Sequence, residues 1–313
     1  MAVALVSHSD CGRHDTGWGH PEHTGRLRAI PSALRNDPEL YQALLHIEGR
    51  HATAAELAFV HDPDYVASIE RAVVAADATN TVVHLDPDTV VSSGSWDAAT
   101  AAAGCVMDAV DMAADGRAIR SFCAIRPPGH HAVRDRAMGF CLFGNVALAA
   151  RWARQHHAMD RVLIVDWDVH HGNGTQALVE MDEGIHYVSM HQWPWYPGTG
   201  AAGDRGPHGT VWNVPLPGGL DRTQYTGALL AAVDRAAAGF TPDLVLVSAG
   251  FDSLRGDPLG GFTLELEDVD LLTRELRQRA ELWCRGRMVS ALEGGYAVER
   301  TAAACVAHLR AMV

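Results

Sequence analysis

Five apolar runs of strand length, set among longer segments of helical period, constrain this chain more than any other feature. They are SFCAI (121–125), RVLIV (161–165), HYVSM (186–190), DLVLVS (243–248) and RMVSA (287–291). Helix-period stretches lie at 26–36, 96–114, 144–157, 222–239 and 264–284. In the last of these, Leu264, Leu266, Val269, Leu271, Leu272 and Leu276 form one apolar stripe. Strands that alternate with helices predict an α/β fold, a mostly parallel sheet with helices on both faces. With 313 residues, 48% hydrophobic, the chain suffices for one large domain or two smaller ones. It shows no repeat, no low-complexity linker and no charge block, so a single domain over 1–313 is expected.

Four of these strands run directly into polar stretches rich in chemistry. RVLIV leads into Asp166-Trp167-Asp168-Val169-His170-His171, and SFCAI into Arg126-Pro127-Pro128-Gly129-His130-His131. DLVLVS leads into Ala249-Gly250-Phe251-Asp252, and RMVSA into Leu292-Glu293-Gly294-Gly295-Tyr296. Ligands of open parallel sheets bind beyond the carboxyl ends of the strands, so four segments should deliver polar groups to one edge. Two aspartates and two histidines crowded behind a buried strand are costly unless a cation compensates them.

Asp168 and His170 are spaced i, i+2 and share a face in extended chain, so both can approach one ion. Asp252 is the natural third ligand. Two carboxylates and an imidazole leave a position open to water and substrate, as catalytic metal sites do. Such an ion acidifies water less than an all-histidine site, which calls for a separate base and an oxyanion donor. His130 and His131 supply the base. Two adjacent imidazoles in one cavity should split their proton affinities, each oriented by a partner, with Asp166 and Asn173 at hand. Tyr296 comes after two glycines that let the backbone pass close to a ligand, and its phenol can donate to a developing oxyanion. The pair His156-His157 lacks such a setting and reads as ordinary surface or core.

Composition excludes other classes. The formal charge is −13, and all 25 basic residues are arginine. That balance argues against nucleic-acid binding, which needs basic patches, and suits a cationic substrate. The longest apolar runs fall short of the ~20 residues of a membrane span. The N-terminus has neither a basic start nor a cleavage signal, so a cytoplasmic location is expected. The six cysteines form no CxxC pair and read as reduced core residues. Residues 191–219, with seven glycines, five prolines and three tryptophans, read as a long irregular connection. Its Trp193, Trp195 and Tyr196 are candidates for a pocket wall, and the segment for a rim or an oligomer interface.

These residues together resemble the histone deacetylase family, and more closely its class II and bacterial amidohydrolase members. The likeness runs through GHPEHTGRL (19–27), VHDPDYV (60–66), RPPGHHA (126–132), MGFCLFGNVA (138–147), VDWDVHHGNG (165–174), YPGTG (196–200), SAGFDSLRGDPLG (248–260) and LEGGY (292–296). The resemblance implies the arginase/deacetylase fold, an eight-stranded parallel sheet flanked by helices. It implies zinc on Asp168, His170 and Asp252, although two oxygens and one nitrogen suit ferrous iron as well. His131 would be the general base, His130 its electrostatic companion oriented by Asp166, and Tyr296 the oxyanion donor. Asn173 stands where many class I members have aspartate, implying a less basic His131. Gly139, Phe140 and Tyr196 would wall a narrow acyl-lysine tunnel. A structural potassium ion is implied beside Asp166, Asp168, the His170 carbonyl, Ser189 and the Met190 carbonyl.

Two positions refine the expectation. Tyr296 stands where vertebrate class IIa members, poor deacetylases, carry histidine. Leu259 stands where a polyamine-selective relative carries glutamate, so an acyl-lysine-like or apolar substrate is favoured over acetylpolyamine or a small acylated metabolite. An arginase-like dimanganese ureohydrolase wants a further aspartate where this chain has Gly172. A non-catalytic acyl-lysine reader would have no use for a complete ligand set plus Tyr296.

Overall fold

A computed structural model describes residues 2–313. Ten strands form two sheets: β1 (Val3–Ser7), β2 (Leu44–Glu48), β3 (Val83–His84), β4 (Val90–Val91), β5 (Arg120–Cys123), β6 (Val162–Asp166), β7 (Ile185–Gln192), β8 (Val211–Leu216), β9 (Leu244–Ala249) and β10 (Met288–Leu292). Eight of them make one sheet in the order β2-β1-β5-β10-β9-β6-β7-β8, and β3 and β4 form a small ribbon. Every pairing within the large sheet is parallel.

The strand residues alternate between two apolar layers, as the period of two requires. Val162, Ile164, Leu244 and Leu246 join the layer under the helices Ser95–Asp115 and Asn145–His156. Leu163, Val165, Val245 and Val247 join the opposite layer, under Arg222–Ala237, Leu266–Cys284 and Val298–Met312. Burial on both faces is why these strands appear in the sequence as unbroken apolar runs.

The five expected strands and five expected helices all form, with no end shifted by more than two residues. One expectation needs correction. Residues 191–219 are not irregular throughout: β7 runs on to Gln192, and Val211–Leu216 is the edge strand β8. Pro215 lies inside β8, and an edge position tolerates the missing N–H. All six cysteines are free and buried. Among the described residues no helix is long and apolar enough to cross a membrane.

The topology positions the site. β5, β10, β9 and β6 are consecutive across the sheet centre. Neighbouring strands lie about 4.8 Å apart, so the polar segments after these four strands emerge along roughly 15 Å of one edge.

Candidate metal centre

Asp168, His170 and Asp252 converge beyond β6 and β9, each offering a ligand atom within 4.8 Å of the others. Both carboxylates are fully buried. Backbone amides fix their outer oxygens: Gly294 N donates to Asp168 Oδ2 at 2.8 Å and Val169 N to Asp252 Oδ1 at 2.8 Å. His170 Nδ1 lies 3.0 Å from Asp168 Oδ1 and 3.2 Å from Asp252 Oδ2. The second contact is misaligned, so Asp252 Oδ2 has no hydrogen-bond partner among the described residues.

Electrostatics say what this cluster lacks. Burial, reinforced by Asp168, pushes the Asp252 carboxyl up to about 7. Burial would depress His170, but the two carboxylates outweigh it and raise its imidazole to about 10. The group draws in positive charge, and a divalent cation supplies it better than a single proton. Glycine makes the room. A Cβ at Gly250 would fall 2.1 Å from Asp168 Oδ2, and one at Gly294 2.1 Å from Asp252 Oδ2. The donor set, its orphaned oxygen and this cradle fit a metal ion.

The paired histidines sit beside the cluster with their rings 4.0 Å apart. His130 Nδ1 meets Asp166 Oδ2 at 3.2 Å, and Asp166 Oδ2 also accepts from Tyr187 Oη at 2.8 Å. His131 Nδ1 meets Asn173 Oδ1 at 2.8 Å. An amide oxygen only accepts, so His131 carries its proton on Nδ1 and leaves Nε2 bare. Their proton affinities split as expected. Burial, then His130 and His170, hold His131 well below the usual range. Burial opposes charge on His130 too, but Asp168 and Asp166 raise it to about 10.

A tunnel of about 250 Å³ opens onto these groups, lined by His131, Gly139, Phe140, His170, Tyr196 and Tyr296 among others. Gly139 has φ +56°, and a Cβ there would strike the His131 ring at 2.4 Å. Phe140 comes next in the same left-handed region at φ +67°, a strained backbone that aims its ring at Tyr296. Tyr196 stands edge-on to His131, centroids 5.1 Å apart. Leu259 and Trp195 complete the wall and are tied by Trp195 Nε1 to the Leu259 carbonyl at 2.9 Å. Of the aromatic cluster, Trp195 and Tyr196 line the tunnel and Trp193 does not. Asp166 and Ser189 are register partners on β6 and β7, with Met190 next along.

Sequence reasoning missed the groups that hold this machinery. Glu22 takes both arms of Arg126, at 2.6 and 2.7 Å, and one of Arg26 at 3.1 Å, all fully buried. Arg26 also donates to the Gly295 and Glu293 carbonyls, with its guanidinium 5.0 Å from the Tyr296 ring centre. Asp257 Oδ2 accepts from the Tyr296 and Ala297 amides at 2.6 and 3.0 Å. Glu293 Oε2 accepts from the Gly129 and His130 amides at 2.6 and 3.1 Å. Asp88 lines the tunnel. Most of these residues lie in the family-like motifs; their partners lie up to 269 positions away, beyond any spacing rule.

Known proteins are similar to this chain in sequence and fold. The chain is 37% identical to Histone deacetylase 14, chloroplastic, of Arabidopsis thaliana, over 94% of this chain and 73% of that protein. It is 35% identical to the Polyamine deacetylase HDAC10 of Homo sapiens, over 96% of this chain and 46% of that protein. The crystal structure of an HDA15 HD domain superposes with a TM-score of 0.92 at 35% identity, covering 99% of this chain and 88% of the other. The model of the histone deacetylase domain matches residues 20–312. Fold, buried triad and these likenesses agree: the chain belongs to the histone deacetylase family and is a deacetylase hydrolase.

Proposed function

We propose that the protein hydrolyses an N-acyl amide, acetyl before longer acyl groups, on an unbranched lysine-like amine, with zinc held by Asp168, His170 and Asp252. One observation carries the reading: the metal-ligand triad and the bare Nε2 of His131 share the floor of a narrow tunnel. A bound zinc ion would supply Lewis-acid polarisation of the acyl carbonyl and of water.

The chain's own residues do the rest. His131 Nε2 takes the proton of the attacking water and returns it to the leaving amine, while Asn173 holds its tautomer. His130, paired with Asp166, keeps a positive charge beside the reacting atoms. Tyr296 donates to the oxyanion; burial keeps its phenol protonated far above the usual range. Phe140, Gly139 and Tyr196 exclude water around the acyl chain. We assign a structural potassium ion to Asp166, Asp168, His170, Ser189 and Met190, supported by the adjacency of β6 and β7.

Leu259 at the tunnel wall favours an acyl-lysine side chain. The carboxylate of Asp88 in the same wall favours a second reading, an acetylpolyamine with a further ammonium group. A ureohydrolase is disfavoured at Gly172, where a Cβ would fall 2.3 Å from Asp166 Oδ2, leaving no room for another carboxylate. The test is an acyl-substrate panel on metal-quantified protein, with Tyr296→Phe and His131→Ala. Tyr296→Phe should keep its metal and lose about 10²–10³ in kcat. Turnover of acetyl-lysine peptide equal to the parent's would remove Tyr296 from the reaction. His131→Ala should still bind a hydroxamate yet hydrolyse poorly, and an unchanged pH–rate profile would remove His131.

A further inference from the structure

The carboxyl edge of the sheet carries a second cluster of ligand-type side chains, apart from the tunnel. β1 and β2 are parallel neighbours that end in register at Ser7 and Glu48. His8 comes directly after β1, Asp10 lies in the 3-10 helix Ser9–Arg13, and His51 stands three residues beyond β2. One ligand atom of each lies within 4.8 Å of the other two.

His51 and Asp10 already meet, with His51 Nε2 3.1 Å from Asp10 Oδ2. Thr100 Oγ1 has one proton to give and lies 2.8 Å from Trp96 O, 3.2 Å from Asp97 O and 2.9 Å from His51 Nδ1. With that proton on a helix carbonyl, Oγ1 accepts from His51 Nδ1 and the ring proton sits on Nδ1. In the neutral ring Nε2 is then a bare lone pair, 3.1 Å from a carboxylate oxygen of Asp10. In that tautomer the two lone pairs take a proton or a metal ion between them. A proton would need nothing further. His8, its ring edge-on to His51 at 4.5 Å, brings a third donor to the cluster.

The dimensions agree. Tetrahedral zinc with bonds of about 2.0–2.2 Å sets its ligand atoms roughly 3.4 Å apart. His51 Nε2 and His8 Nδ1 lie 3.1 and 3.7 Å from Asp10 Oδ2. The gap between the two rings, no more than 4.8 Å, is the one that must close. Closing it through Nδ1 exchanges the 3.1 Å hydrogen bond that His8 accepts from Asp10 N for a coordination bond. His8 also borders a cleft of about 760 Å³, an open path for the ion and its water.

We propose that His8, Asp10 and His51 form a second divalent-metal site, taking zinc, which clips the 3-10 helix Ser9–Arg13 to the loop after β2. Two imidazoles and a carboxylate are borderline donors suited to zinc, nickel or copper rather than calcium or magnesium. The clip bears on the hydrolytic site through Arg126, which donates to the Cys11 and His14 carbonyls at 3.3 and 2.9 Å and grips Glu22.

The test titrates Zn²⁺ alone into protein already holding one metal and freed of excess. The expected result is a second equivalent, bound with a rise in Tm and lost in both His8→Ala and His51→Ala while the first is kept. Asp10→Asn, which keeps the Asp10 N–H, should lose it too and serves where an alanine variant folds poorly. A parent that never exceeds one zinc per chain overturns the proposal. So does a second equivalent that survives substitution of any one ligand, which would place that ion elsewhere.

Discussion

Gly294→Ala tests whether the metal cradle is set by steric room at one backbone position. Gly294 does not have a left-handed φ, so alanine meets no backbone strain there. Its Cβ would stand 2.1 Å from Asp252 Oδ2 and 2.6 Å from Asp168 Oδ2. Non-bonded contacts need more than about 3 Å, so at least one carboxylate moves by about 1 Å. Metal–oxygen bonds are about 2.0–2.2 Å long, and that displacement breaks one. Changes to groups that merely orient ligands cost 10–100-fold in affinity. Loss of a ligand should therefore weaken zinc at least about 100-fold, or about 2.7 kcal/mol. Overpacking should cost about 1–3 kcal/mol of stability. Gly227→Ala is the control: it lies in the helix Arg222–Ala237 with nothing within 4 Å among the described residues, and alanine should stabilise that helix by about 0.5–1 kcal/mol. The assay is competition for zinc against a chelator of known affinity, with urea melts alongside. Parental zinc affinity in Gly294→Ala would refute the steric reasoning and the assignment of both aspartates.

Further expectations concern charge. Glu22→Gln leaves Arg26 and Arg126 buried without their counter-ion and should cost about 3–5 kcal/mol by urea denaturation. His61 donates from Nδ1 to the Val133 carbonyl and accepts the Gly144 amide on Nε2, which holds it neutral; burial lowers it to about 4. The unfolded imidazole, at about 6.5, takes its proton first, so stability is whole above that pH and falls by about 3 kcal/mol toward pH 4. The drop should be shallower in His61→Gln, with chelator present throughout. Leu259→Glu should raise kcat/KM for an acetylated diamine roughly tenfold relative to acetyl-lysine peptide, the effect of about 1.4 kcal/mol of added charge attraction.

The sequence exposes five of the six interior strands and hides both edges of the large sheet. β5, β6, β7, β9 and β10 read as apolar runs because helices cover both sides of them. β2 is an edge strand whose Leu45, His46 and Glu48 face solvent, so its pattern is broken. β8 is the other edge and carries Pro215 inside a stretch rich in glycine and proline. β1 is apolar, with Val3–Val6 buried, but has no turn signal before it. The helix Pro63–Thr79 is absent from the expected helices although its start is legible, with Asp62 as N-cap and Pro63 at the first helical position. The same division holds at the site. Asp168, His170, Asp252, His131 and Tyr296 each trail a buried strand and are legible for that reason. Glu22, Arg26, Asp257 and Glu293 act through partners fixed by tertiary packing alone.

That packing also explains why a metal ion would suit one pair of carboxylates and not another. Burying a carboxylate demands an opposite charge or several donors. Glu22 has two guanidinium groups. Asp166 has His130 and the Tyr187 hydroxyl. Glu293 has two backbone amides and the Ser248 hydroxyl, and burial pushes its carboxyl up to about 7, so that half of it can stay neutral near neutral pH. Asp168 and Asp252 differ. Between them they have three amide donors, His170 as a shared partner, His130 at 3.8 Å from Asp168 Oδ1, and one inner oxygen on Asp252 with no hydrogen bond among the described residues. Glu22, Asp166 and Glu293 are each balanced by their own neighbours. Asp168 and Asp252 leave an inner oxygen without a partner, and a divalent ion joining them would supply it, which is the physical ground for reading a hydrolase from this fold.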